Sequence, residues 1–393
     1  MLAHSPPLPL IIDHYYSGST ADDTKQILFT LQHRDRVRRI RLIKPIPILE
    51  KLIVAIDDVF PMLEYLCIAP QLNASRLVLP RTFQAPRLRH LILSNIAPPI
   101  GPPPLSGATN LVTFSLLNIP LGIHFGPDTL LEWVSLLPRL ETLWIDFYSP
   151  ISHFSHADVE WDLMHMQNMA YVTLPNLCNF NFRGVITYLE ALLSRITAPR
   201  LDVLHVIFFT GFTSPTFSVP YLLQFMSTSE NLRLRRAELS FSDKRVTIAA
   251  HPHETAALSP SFILRIPSRH FNSQVSFAAQ ILCVLSPVFS SVMDLKFQMY
   301  SSMSRTQIEN EVELTQWRTI LRSFNNVNTL RIPSYLVGVL SRSLQLNGGE
   351  SPTDLLPCLK ELIYSTTSRT GDAFTGFIDA RQNAGYPVTL VRD

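Results

Sequence analysis

Apolar residues along this chain recur in one frame: an apolar residue, two free positions, a second apolar residue, one free position, and a third. The stretch LPRLETLWIDF (137–147) carries the frame at Leu140, Leu143 and Ile145. APRLRHLILSN (85–95) carries it at Leu88, Leu91 and Leu93, and APRLDVLHVIF (198–208) at Leu201, Leu204 and Val206. With the first apolar residue as position 0, the frame starts at Val37, Leu63, Leu88, Leu111, Leu140, Leu177, Leu201, Leu234, Val292, Val327 and Leu359. Successive starts lie 23 to 37 residues apart, except for a gap of 58 between Leu234 and Val292, where FILRI (262–266) reads as a degenerate copy. Positions +3 and +5 are two apart and share one face of a strand. Position 0 lies where the incoming chain bends into that strand, and Pro or Asn just ahead of it, as in Pro138, Pro175 and Asn110, turns the chain.

Between frames the apolar period becomes helical. ILEKLIVAIDDVF (48–60) puts Leu49, Leu52, Ile53, Ile56 and Val59 on one stripe. PDTLLEWVSLL (127–137) opens with Pro127 and offers Asp128 as an N-cap. VITYLEALLSRI (185–196), VPYLLQFM (219–226), VSFAAQILCVL (275–285) and TQIENEVELTQWRTILRSF (306–324) read the same way. A strand with a helix beside it cannot bury its apolar face alone, so such units must stack on one another. A closed eight-stranded barrel has too few units, and a doubly wound sheet built around glycine-rich phosphate turns suits a chain with 13 glycines poorly. The pattern therefore predicts an α/β fold, an irregular leucine-rich-repeat solenoid of about 11–12 strand–helix units with a parallel sheet on the concave face. Residues 1–36 read as an N-terminal connector or cap, and 37–393 as one continuous repeat domain.

If +3 and +5 face the core, then +2, +4 and +6 face outward. In the middle of the chain those positions hold an aromatic, histidines and hydrogen-bonding residues with few like charges, a mixture suited to binding a protein or peptide. The candidate binding residues are Tyr65, His90, Thr142, Trp144, Asp146, Asn179, Asn181 and His205, with Trp144 and Tyr65 as anchors. Three long insertions, at 98–110, 147–170 and 242–261, lie beside these frames. The first reads as extended, the second as carrying a short helix around 157–168, and the third as a hairpin or extra strand.

Composition narrows the function further. A net charge of +2 argues against a surface that neutralises many phosphates, so no nucleic-acid partner is expected. The basic run 33–41 lacks interleaved aromatics and reads as a solvated edge strand whose charges deter edge pairing. Cys67, Cys178, Cys283 and Cys358 are scattered without CxxC spacing, which suits reduced thiols in an intracellular protein, cytoplasmic or nuclear. The proline-broken N-terminus resembles neither a signal peptide nor a membrane span, and no membrane partner is expected. P-loop, GxSxG, HExxH and EF-hand signatures are missing, so the chain reads as non-catalytic, without cofactor or metal. A metal-dependent enzyme is the remote alternative, resting on His251, His253 and Glu254 or on His153, His156 and Asp158.

The Pro-x-Leu-x-x-Leu-x-Leu frames, with SPPLPLIIDHYY (5–16) leading into ILFTLQHRDRVRRIRL (27–42), resemble the leucine-rich-repeat region of F-box proteins, especially the expanded set of mushroom-forming fungi. That resemblance implies a protein-binding scaffold that reads a substrate for a cullin–RING ubiquitin ligase. The F-box itself is not visible ahead of Ser5, so the Skp and cullin machinery is expected only if an F-box is supplied upstream. A stand-alone interaction or structural scaffold is the alternative. Regular repeats of this type carry Asn at +8; here Ile96 and Ile119 occupy +8, with Asn95 and Asn118 one residue earlier.

Overall fold

The computed structural model describes residues 8–15, 21–71, 77–98, 107–119, 125–148, 171–209, 219–252, 259–300, 314–346, 349–365 and 373–392. The chain forms two compact units, Met1–Leu201 and Asp202–Asp393. In the first unit a parallel sheet runs in the order β1 (Leu10–His14), β2 (Val37–Lys44), β3 (Tyr65–Pro70), β5 (His90–Ser94), β7 (Thr113–Ile119), β8 (Thr142–Phe147) and β10 (Asn179–Gly184). Two short parallel ladders accompany it: β4 (Leu77–Val78) with β6 (Ile96–Ala97), and β9 (Val172–Thr173) with β11 (Ile196–Thr197). In the second unit the order is β12 (Val203–Phe208), β15 (Phe262–Pro267), β14 (Arg245–His251), β13 (Arg236–Phe241), β16 (Asp294–Met299), β17 (Thr329–Ile332), β18 (Glu361–Tyr364) and β19 (Thr389–Arg392). Only β14 runs antiparallel to its neighbours there. The architecture is thus mixed α/β around large, mostly parallel sheets.

The frames map onto strands one for one. They give β2, β3, β5, β7, β8, β10, β12, β13, β16, β17 and β18, and every one of these except β2 begins at position +2. All three apolar positions of every frame are buried, none more than 3% exposed. Burying one such side chain is worth roughly 1.5–3 kcal/mol, so these stacked columns supply the main driving force within each unit.

Register follows the frame as well. Position +2 pairs with +2 across the first unit: Arg39 with Tyr65, Tyr65 with His90, His90 with Thr113, Thr113 with Thr142, and Thr142 with Asn179. The carbonyl at +1 accepts two N–H groups from the next frame. Glu64 O takes those of Arg89 and His90, Arg89 O those of Val112 and Thr113, and Glu141 O those of Cys178 and Asn179. The same double acceptance recurs at Met293 O and Asn328 O in the second unit. A slip of one residue would carry every buried side chain to the outward face, so burial fixes this register.

A further apolar position precedes the frame. The position 0 N–H bonds the carbonyl three residues back, as in Leu88 to Ala85, Leu111 to Ala108, Leu140 to Leu137 and Leu201 to Ala198. The residues at −3 are themselves buried, including Ala85, Ala108, Leu137 and Ala198. At the other end of the strand, Asn95 and Asn118 adopt left-handed φ of 52° and 50°. Asn tolerates that region better than other residues with a Cβ. The displaced asparagines at +7 therefore end β5 and turn the chain near the end of β7.

The helices among the described residues are α1 (Ala21–Leu31), α2 (Ile46–Ala55), α3 (Pro127–Ser135), α4 (Ile186–Leu193), α5 (Pro220–Ser227), α6 (Phe271–Phe289), α7 (Leu314–Arg322), α8 (Val337–Leu344) and α9 (Thr375–Asn383). Each expected helix within the described residues is present, with shifted ends. α2 stops at Ala55, so Val59 lies beyond the buried stripe and is 43% exposed. Gly126, not Asp128, occupies the N-cap of α3; Asp128 sits in the first turn beside Pro127. The connections from β3 to β5 and from β5 to β7 carry β4 and β6 among their described residues instead of helix. Pro80, Pro86 and Pro98 interrupt any helical run there.

One further expectation holds and one changes. The 58-residue gap holds both a hairpin and an extra strand: β14 folds back on β13, and β15 pairs β14 while running parallel to β12. The basic run is not an edge strand, because β1 pairs alongside β2. Its charges are instead neutralised locally: Arg34 pairs with Asp58, Arg38 with Glu64 and Arg39 with Asp13. The expected helix at 157–168 and most of the insertion at 98–110 lie outside the described residues.

Candidate protein-binding face

Strand alternation sets which side chains the first unit turns outward. Its +2 row reads Arg39, Tyr65, His90, Thr113, Thr142 and Asn179, and its +4 row Arg41, Cys67, Ile92, Ser115, Trp144 and Asn181. Most of these side chains are half-buried, flanked by neighbours in their own row. The Arg39 guanidinium lies 4.3 Å from the centroid of the Tyr65 ring, a cation–π arrangement. Tyr65 and His90 have ring centroids 5.9 Å apart. His90 Nδ1 is 3.0 Å from Thr113 Oγ1. A continuous chain of contacts therefore holds Tyr65 and His90 in place before any ligand arrives.

Trp144 is the exposed member. Its Cα partners are Ser115 on β7 and Asn181 on β10, both smaller than the indole. Trp144 is 42% exposed, whereas Trp133 and Trp317 are buried at 3% and 0%. The immediately preceding and following residues, Leu143 and Ile145, are each 0% exposed. A large aromatic held on a rigid strand, with little side-chain entropy left to lose, is the usual chemistry of a binding anchor.

Asp146 lies next along β8 and pairs with Arg183 of β10, Oδ1 to Nη1 at 3.6 Å. Burial pushes the Asp146 carboxyl up to about 6, and Arg183 only partly opposes it. Burial likewise pushes the Cys67 thiol up and the His90 imidazole down. His90 is thus held toward its neutral form, able both to donate and to accept.

Seven of the eight candidate residues, Tyr65, His90, Thr142, Trp144, Asp146, Asn179 and Asn181, share this outward face of the first unit. The eighth, His205, belongs to the second unit on β12, half-buried, with Nε2 3.3 Å from the Pro260 carbonyl oxygen. Burial lowers its pKa too. Outward residues of the second unit, among them Lys296 and Arg331, follow from the same alternation, but nothing in the sequence pattern singles them out.

The residues proposed for a metal lie mostly outside the described set: His153, His156, Asp158, His253 and Glu254 are all outside it, and only His251 is placed, on β14. Among the described residues no group of three His, Cys, Asp or Glu could hold a metal ion. By length and composition α6 could cross a membrane, but Phe271, Val275, Leu282, Leu285 and Phe289 on it are buried within the unit.

Compared with known proteins, the chain matches no family model, and no curated protein matches it.

Proposed function

We propose that the chain is a leucine-rich-repeat-type solenoid that binds a protein through its outward strand face, without catalysing a reaction. The observation that carries this reading is Trp144, 42% exposed on a strand whose adjacent residues are fully buried. Around it stand groups that donate and accept hydrogen bonds, and few like charges. Such a surface loses little entropy on binding and can anchor a partner through one aromatic contact. The repeat count and the equal register of the frames support stacking as the organising principle. Four free cysteines support an intracellular setting, cytoplasmic or nuclear.

The resemblance to F-box repeat proteins gives the partner a role, a substrate presented for ubiquitylation. Affinity purification of the full chain tests both parts. Recovery of a Skp subunit and a cullin supports the ligase role. A partner lost on Trp144→Ala or Tyr65→Ala, with no ligase subunit, leaves a stand-alone scaffold. Recovery of the same partners from both variants and the parent would remove the face from the account.

A further inference from the structure

On the outward side of the second unit, Arg265 of β15 and Thr247 of β14 are direct Cα partners, and Arg245 pairs with Pro267 two residues along. Arg265 and Arg245 are therefore diagonal neighbours across an antiparallel ladder, about 7–8 Å apart and within reach of a shared ligand. The other neighbours of Arg265 on that side are Ile207, Ile263, Pro267, Thr247 and Ala249, and none of them is charged. Among the described residues neither arginine has an ion pair, and the Thr247 hydroxyl has no hydrogen bond. Arg265 is half-buried, and burial together with the Arg245 charge lowers its pKa. A half-buried cation beside a second cation, with no counter-charge, is an unfavourable arrangement that an anion would relieve. The surroundings add to the excess. Ser268 N–H donates to the Lys244 carbonyl at 2.9 Å, which brings Lys244 and Arg269 to the same end of the ladder. Over 242–248 and 262–270, Lys244, Arg245, Arg265 and Arg269 stand against one carboxylate, Asp243, exposed in the turn. The turn that carries Arg245 is fixed in advance. Ser242 Oγ accepts the N–H groups of Lys244 and Arg245 at 3.4 and 3.2 Å. Gln274, fully buried on α6, donates to the Ser242 and Ser268 carbonyls at 2.7 Å each.

We infer that Arg265, Arg245 and Thr247 bind a phosphate monoester. A carboxylate has one charge and two oxygens, which a single guanidinium saturates in bidentate fashion, leaving the second arginine uncompensated. A phosphate monoester carries a charge of about −1.5 to −2 at pH 7 and three acceptor oxygens. It gives each guanidinium an oxygen and leaves a third for the Thr247 hydroxyl. Lys244 and Arg269 raise the local potential that draws the anion in. A nucleic-acid backbone fits less well, because Ile207, Ile263 and Pro267 surround Arg265 where further phosphates would need cations. A free small molecule and a phosphorylated side chain of a protein present the same group to this site. The site lies wholly within the second unit, and it stands whether or not the outward face of the first unit meets a protein.

Isothermal titration calorimetry of the full chain tests the site with phenyl phosphate, benzoate and the peptide Gly-Ala-x-Ala-Gly, where x is phosphoserine, serine or glutamate. Both phosphate esters are expected to bind about tenfold or more tightly than benzoate and the glutamate peptide, the serine peptide not to bind, and raised salt to weaken both complexes. Arg265→Gln and Arg245→Gln, each checked for an unchanged circular dichroism spectrum, lose phosphate binding about tenfold or more. Arg265→Lys keeps the charge but not the fork, so it loses part of the affinity and carries the test where a glutamine variant does not fold. A phosphoserine peptide that binds more tightly than phenyl phosphate makes a phosphorylated protein the source, and one that binds equally or more weakly makes it a small phosphate ester. Benzoate binding as tightly as phenyl phosphate, no binding of either ester, unchanged binding by the folded variants, or a tighter complex with an oligothymidylate lacking terminal phosphates would overturn the inference.

Discussion

Arg139 donates from Nη1 to Asn110 Oδ1 at 3.0 Å, joining the −1 positions of two successive frames. The same arrangement links Arg200 to Asn176 at 3.4 Å, and Asn176 in turn donates to the Pro138 carbonyl at 3.0 Å. The residues just ahead of position 0 thus do more than turn the chain. They tie each turn to the one before it, along the rim where the chain enters the strands.

If that rim is cooperative, Asn110→Ala and Arg139→Ala each cost about 1 kcal/mol, the usual worth of such a hydrogen bond. The double variant then loses less than the sum, because the second change removes a contact already gone. Urea denaturation of the four proteins measures the coupling. Strict additivity would show that the contact does not contribute.

Leu143 and Trp144 are neighbours on opposite faces. Leu143→Ala empties a fully buried site and costs about 2–5 kcal/mol. Trp144→Ala costs about 1 kcal/mol or less, because the ring is already partly in water. Thermal or chemical denaturation ranks them. The reverse order would mean that the alternation is shifted by one residue.

Asn118 at φ 50° predicts a backbone effect. Asn118→Ala places an ordinary residue in the left-handed region and loses about 1 kcal/mol, whereas Asn118→Gly stays within about 0.5 kcal/mol of the parent. Equal losses in both would assign the effect to the Asn118 side chain and its 3.4 Å contact with Ser94 Oγ instead.

Asp146 gives stability a pH dependence with a definite sign. Its folded-state pKa of about 6 lies above the ordinary 3.8, so the native state holds the proton more tightly than the unfolded chain. Stability therefore falls as pH rises from about 4 to about 6 and levels off above that. In Asp146→Asn this component is absent. Melting curves of the two proteins across pH 4–8 should diverge in that window, the variant gaining relative to the parent as pH rises. Parallel profiles would show that Asp146 is solvated like a surface carboxylate.

The frame was legible because burial imposes it: Leu88, Leu91 and Leu93 could not exchange places with Arg89, His90 and Ile92 without exposing the core. Trp144 pointing outward followed from the same rule. What the pattern hid were features carried by residues that obey no apolar period. Ala85 and Ala108 at −3 are small enough to pass as loop. β4 and β6 are only two residues long, so alternation cannot reveal them. The insertion of β14 and β15 between β12 and β13 depends on which strand finds which neighbour, a choice made by long-range pairing.

The central claim is that the outward face of the first unit meets a protein partner. Photo-crosslinking with p-benzoylphenylalanine tests it most directly, because the probe replaces Trp144 with another aromatic ring. Val54, 75% exposed on α2, is the control position. The account predicts a light-dependent adduct of discrete mass from position 144 and none from position 54 in cells expressing the full chain. No adduct from 144, or an equal adduct from 54, would contradict it.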